Sequence, residues 1–170
     1  MLLMIRSLPT SLAILLAALI WAAAAEAGCT DPAGPAVNWQ DCFHEDRALT
    51  DENLEGAILQ DTHFNRADLS GSNLSHADGR RAKFISATMV NVNMDQANLA
   101  SADFTKADLK GASFKGAILH RALFYRADLR GADFSGATLK EADFLFADLS
   151  GATWIDGKRK CAEGSRGQCR

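Results

Sequence analysis

The sequence predicts an all-β fold: a coil of short sides that turns a corner after every five residues. Two observations carry this. Stepping by five from Leu49 to Trp154 meets a large apolar residue at every position except Gly79. Two residues before each step, from 52 to 152, Ala stands at 17 of 21 positions, the exceptions being Glu52, Thr62, Ser72 and Val92. Geometry supplies the third constraint. On an α-helix five residues advance about 500°, which scatters these side chains around the cylinder. On a flat strand they alternate between faces. They share one interior only if the backbone bends after each set of five.

Composition sets the outer bounds. The chain has 170 residues, 48% hydrophobic, with 18 Lys+Arg against 21 Asp+Glu and a net charge of -3. That length suits one domain. The charge excludes the basic footprint of a nucleic-acid binder. Thirty alanines would by propensity suggest helices, but the period of five overrides propensity.

The first segment, residues 1–27, has the pattern of a secretory signal peptide. Arg6 gives the positive start, Leu12 to Trp21 the apolar core, and Ala25-Glu26-Ala27 the small-x-small cleavage site. The apolar run Leu12–Ala25 is 14 residues, short of the ~20 that span a bilayer, so no membrane insertion is expected after cleavage. Glu26, three before Cys29, disfavours a lipoprotein signal. The expected location is periplasmic or secreted. In such an oxidising compartment disulfides form and persist. Cys29 and Cys42 precede the repeats while Cys161 and Cys169 follow them. Four cysteines allow three pairings; if the stretch between is rigid and elongated, only 29–42 and 161–169 come within reach. No CxxC pair points to zinc.

The repeating unit reads Ala-Asp/Asn-Leu-x-x, as in Ala67-Asp68-Leu69, Ala107-Asp108-Leu109 and Ala127-Asp128-Leu129. It resembles the pentapeptide repeat family over residues 49–154. The resemblance implies a right-handed quadrilateral β-helix of four five-residue sides, about five and a half coils and roughly 26 Å long at the ~4.8 Å strand spacing. It also implies a rival function, since some members imitate DNA and protect gyrase. Here 11 Lys/Arg against 15 Asp/Glu over residues 49–156, and the leader, argue against that.

With twenty residues per coil, the interior columns follow. One is Phe64, Phe84, Phe104, Phe124, Phe144; the column opposite is Leu54, Leu74, Met94, Phe114, Phe134, Trp154. Gly79 breaks a Leu column and should leave a dent, into which Met89, joined by Met94, is expected to lean, as Met adapts best to irregular gaps.

Outside, Asp68, Thr88, Asp108, Asp128 and Asp148 form an acidic ladder expected to serve turn backbone. A straight column does not converge the six to eight oxygens calcium needs. The Phe side carries Ile85, Leu123, Tyr125, Leu145 and Phe146, a possible interface unless the C-terminal segment covers it. Arg80, Arg81, Arg121, Lys140 and His120 gather on the Gly79 side. No catalytic motif is present. His44-Glu45-Asp46 reads as a hydrophilic connector, its alternative being a metal or enzymatic site. No cofactor is expected.

The expected organisation is leader 1–27, N-terminal cap 28–48, repeat coil 49–156 and disulfide-bearing C-terminal cap 157–170. Trp39 and Trp154 would stop the open apolar axis, as terminal units of repeat proteins must. The expected function is an exported, non-catalytic structural or protein-interaction module, monomeric or paired end to end, with a protein partner.

Overall fold

The computed structural model describes residues 28–170; the leader predicted over residues 1–27 lies outside the described residues. Each unit of five ends in a tight turn. The carbonyl of the large apolar residue accepts from the N–H three residues on, as in Ala57 N to Leu54 O (3.1 Å), Ala107 N to Phe104 O (3.0 Å) and Ala152 N to Leu149 O (3.0 Å). The third residue of that turn is left-handed. From Ala36 to Gly151 every fifth residue has φ between 55° and 72°, the position a type II turn holds at positive φ. Gly, Asp and Asn tolerate this region best, and they fill many of these corners.

The sides between corners are too short to be named strands. They pair through single parallel bridges between residues twenty apart, from Asn38↔Ile58 through Asp133↔Thr153. Sides of five with pairing at twenty make a four-sided coil. Each rung is a pair of backbone bonds, such as Leu54 N to Asn73 O (2.7 Å) and Asn73 N to Glu52 O (2.9 Å). The ladder starts at Asn38, ahead of the first apolar step at Leu49.

The core is the axis the period required. Its Ala and Leu/Phe columns are buried almost throughout. Phe64, Phe84, Phe104, Phe124 and Phe144 stack with centroids 4.9–5.3 Å apart and planes within 5°. Across the axis they meet Phe114 and Phe134 edge to face, for example Phe104–Phe114 at 6.0 Å and 85°. Parallel stacking along the column and edge-to-face contact across it both suit the aromatic quadrupole. Two polar exceptions at the Ala slot are accounted for by carbonyls they reach. Thr62 Oγ1 donates to Trp39 O (2.6 Å) and Ser72 Oγ to Leu49 O (2.5 Å).

At Gly79 the structure corrects the expectation about Met89 and Met94. A Cβ built there would lie 2.9 Å from Leu99 Cδ2, with Ala82 and Asn98 next at 3.9 Å. The residue one coil along the same column takes the space, because it is closer than any side chain across the axis.

The ends are closed unequally. Cys29 is bonded to Cys42, and Cys161 to Cys169. At the N-terminal end Gly28 N bonds Asn38 O (3.0 Å) and Trp39 Nε1 bonds Asp31 O (3.3 Å), which lays the loop under the Trp39 side. At the other end the chain turns back antiparallel, Thr153↔Lys160 and Asp148↔Arg166. Leu149 N then bonds Ser165 O and Trp154 N bonds Arg159 O, both at 2.8 Å. Among the described residues no helix is long and apolar enough to cross a membrane.

Candidate interaction surface

The side backed by the Phe column presents three outward positions per coil: the residue before each Phe and the two after it. In the last two coils these hold Leu123, Tyr125, Arg126, Asp143, Leu145 and Phe146. Phe146 is 56% exposed and Leu145 51% exposed, so the C-terminal segment leaves them uncovered. That segment runs beside them instead, Gly167 N bonding Ala147 O (3.0 Å). The Tyr125 and Phe146 rings meet edge to face at 5.8 Å. The Arg126 guanidinium lies 5.2 Å from the Tyr125 centroid and 5.9 Å from that of Phe146, a cation–π arrangement that positions both rings.

Phe146 also has φ 62°. A bulky residue in the left-handed region costs about 1–2 kcal/mol and is uncommon. Gly occupies this corner position in the side that follows, at Gly151, so backbone geometry alone does not call for Phe.

Of the residues singled out on this side, the structure brings together Leu123, Tyr125, Leu145 and Phe146. Ile85 is separate: it is half-buried, two coils away, its N–H on Asn65 Oδ1 (3.3 Å). At the far end of the same side stands Phe43, 70% exposed and edge-on to His63 at 4.6 Å. The apolar count missed it because it lies at the outward position before the core step.

His44 corrects the hydrophilic-connector reading. Its ring is 1% exposed, 4.2 Å from Trp39 and stacked on Phe64 at 5.5 Å. Arg47 Nη1 is 2.8 Å from His44 Nδ1; as guanidinium has no acceptor, Nδ1 accepts and Nε2 keeps the proton. Nε2 is buried without a partner among the described residues. Burial first, and the Arg47 charge second, pull the His44 pKa down to about 4. Glu45 and Asp46 turn outward to Arg66, whose Nη2 is 2.7 Å from Asp46 Oδ2 and 3.7 Å from Glu45 Oε2. The three residues therefore do not face one point. Among the described residues no three His, Cys, Asp or Glu side chains gather to hold a metal ion.

The charged sides are largely internally paired. Arg80 holds Asp78 (2.8 Å), Arg81 holds Asp61, and Arg121 holds Glu141 (2.6 Å). Beside the last pair a shallow depression of about 350 Å³ is lined by Ala100, Ser101, His120, Arg121, Lys140 and Glu141. In the acidic ladder each Asp carboxylate accepts from the N–H two residues on, Asp68 from Ser70 (3.0 Å) and Asp148 from Ser150 (3.1 Å). Lys110 and Arg130 neutralise Asp108 (2.6 Å) and Asp128 (2.7 Å). The Arg130 hydrogen bond holds the Asp128 carboxyl below its ordinary value. These oxygens are engaged with turns and cations.

Comparison with known proteins agrees with this geometry. A family model described as a pentapeptide repeat region matches residues 57–134, and a second, of pentapeptide repeats in eight copies, matches 117–153. No curated protein matches the chain. Among solved structures the chain is similar to HetL, a pentapeptide repeat protein involved in heterocyst differentiation regulation from the cyanobacterium Nostoc sp. strain PCC 7120. Identity is 26% over 75% of this chain and 73% of that one, with a TM-score of 0.49. It is similar also to Rfr23 from the cyanobacterium Cyanothece 51142, 27% identical over 62% of this chain and 82% of that one, TM-score 0.48. A pentapeptide repeat protein of the Arabidopsis thaliana thylakoid lumen is 25% identical over 73% and 83% of the two chains, TM-score 0.45. The five-residue unit, the twenty-residue pairing and the matched models together place this chain in the pentapeptide repeat family.

Proposed function

We propose that the chain is an exported, non-catalytic rod that binds a protein partner through the Leu123–Tyr125–Leu145–Phe146 side. The observation that carries this is Phe146, a bulky apolar residue left 56% exposed next to Leu145, itself 51% exposed. Exposed Tyr, Phe and Arg packed against one another have the composition of interface hot spots. The two disulfides support an oxidising destination, hence a periplasmic or secreted protein. The reading includes a right-handed β-helix, as in the family, closed by a loop at the N-terminal end and by residues 157–170 at the other.

Affinity capture from the envelope fraction tests this, with Leu145→Asp plus Phe146→Asp as the control surface. A partner retained by the wild type and lost by the double variant is expected. Full retention by the variant, or a reproducible hydrolytic or transferase activity of the purified protein, overturns the reading.

A further inference from the structure

The two ends of the rod carry opposite charge. Residues 28–56 hold Asp31, Asp41, Glu45, Asp46, Asp51, Glu52 and Glu55 against Arg47 as the sole cation. All but Glu52 of those acids are exposed. Residues 157–170 hold Lys158, Arg159, Lys160, Arg166 and Arg170 against Glu163, all exposed. Of these five cations Arg166 makes the one ion pair found among the described residues, with Asp148 at 3.8 Å. The chain's small net charge hides this polarity.

The ends are also open on complementary sides. In the interior coils the N–H and C=O of the residue before each core step bond the coil beneath, as His63 does with Cys42 O (2.9 Å) and His44 N (2.7 Å). In the first coil the same backbone groups of Phe43, Ala48 and Asn53 have no backbone partner among the described residues. The N-terminal loop lies instead under the Trp39 side. At the C-terminal end the antiparallel return covers the Leu149 and Trp154 sides, while Leu139 N and Phe144 N have no backbone partner among the described residues. A second copy placed end-on thus brings the loop of one chain over the open Leu139 side. It brings the return of the other under the open Ala48 and Asn53 sides. The Phe144 side, whose N–H has no backbone partner among the described residues and beside which Gly167 runs, meets the Phe43 side, with Phe144 and the buried His44 ending the same aromatic column. Unpaired parallel edges are templates for pairing with another chain.

We propose that copies of this chain stack head to tail, the acidic N-terminal end of one on the basic C-terminal cap of the next. The contact is heterologous, so it does not close into a dimer and continues as a row of rods. It rests on the leader being removed, which the intact mass of the exported protein checks separately.

The experiment is sedimentation velocity of the purified, oxidised exported protein across a concentration series. It is run at about 0.01 M salt, where the Debye length is about 30 Å, and at about 0.5 M salt. A sedimentation coefficient that rises with concentration beyond that of a dimer, and falls back at high salt, is expected. Two charge reversals identify the ends: Asp41→Lys with Asp51→Lys and Glu55→Lys, and Lys158→Glu with Arg159→Glu and Lys160→Glu. Each variant alone now meets like charge and should stay monomeric. Their equimolar mixture restores opposite ends and should associate again, which also shows that both are folded. A wild type that stays monomeric throughout overturns the proposal. So does association that stops at a dimer, survives either reversal, or is not restored by mixing. Loss of stacking with partner capture intact separates this proposal from the side-face reading, as does the converse.

Discussion

The His44 ring lies on that of Phe64, centroids 5.5 Å apart and planes at 28°, so an imidazole ends a column otherwise built of phenylalanine. The column is continuous because residues twenty apart share a side. It also exposes the first coil to pH, since a buried imidazole has no room for a second proton's hydration.

His44 titrates near 6.5 when unfolded and about 4 when folded. Below 6.5 the unfolded chain takes up a proton that the folded chain refuses, so stability falls as pH drops from about 6.5 to about 4 and this contribution then levels off. The loss is on the order of 1–3 kcal/mol. His44→Phe should remove that dependence and continue the column. Urea midpoints of both proteins at pH 7 and pH 4.5 check it; equal pH sensitivity in the two would refute it.

Leu99 fills the space left by Gly79, so Leu99→Ala opens a void that runs on into the coil before it, where Gly79 has no side chain to relax into it. Both Leu99→Ala and Leu119→Ala should fall in the range of about 2–5 kcal/mol, Leu99→Ala being the costlier. Adding Gly79→Leu to Leu99→Ala should recover part of the loss. Chemical denaturation of the four proteins decides this, and a Leu119 variant that is the less stable one counts against it.

Phe146→Gly separates strain from packing. Glycine relieves the left-handed corner but loses the Tyr125 contact and adds chain entropy, so net stability should change by no more than about 1 kcal/mol. Partner capture, by contrast, should be lost. A variant that melts far lower while still retaining a partner would make Phe146 a structural residue.

The C-terminal disulfide closes a short loop, Cys161 to Cys169, which holds the return against the last coil. Cys161→Ser with Cys169→Ser should cost up to about 3 kcal/mol, chiefly as local opening. Hydrogen exchange should speed up at Leu149, Gly151 and Trp154, whose N–H groups bond the return, and stay slow at Leu129 and Phe134. Uniform acceleration along the rod would show that the cap governs the whole coil.

Much of the fold was legible in the sequence because a pentapeptide coil is nearly one-dimensional. Each Leu, Phe or Ala faces only its own coil and the two beside it, so local period implies spatial register. His44 was the exception at the start. It holds the core phase, but its polar ring disguises that, one nitrogen being taken up by Arg47. The interface was half legible: Leu145 and Phe146 stood out as apolar residues on the Phe side, whereas the clustering of Arg126 with the Tyr125 and Phe146 rings depends on side-chain reach across a coil.

The sequence alone determined the period of five, hence the corners, the interior columns and the acidic and basic ends, since a repeat in phase over so many units admits one backbone solution. Tertiary structure decided what fills Gly79, which way each terminal segment folds back, and whether Leu145 and Phe146 are covered. Those outcomes turn on packing and end closure, where the repeat stops and contacts are no longer set by spacing along the chain.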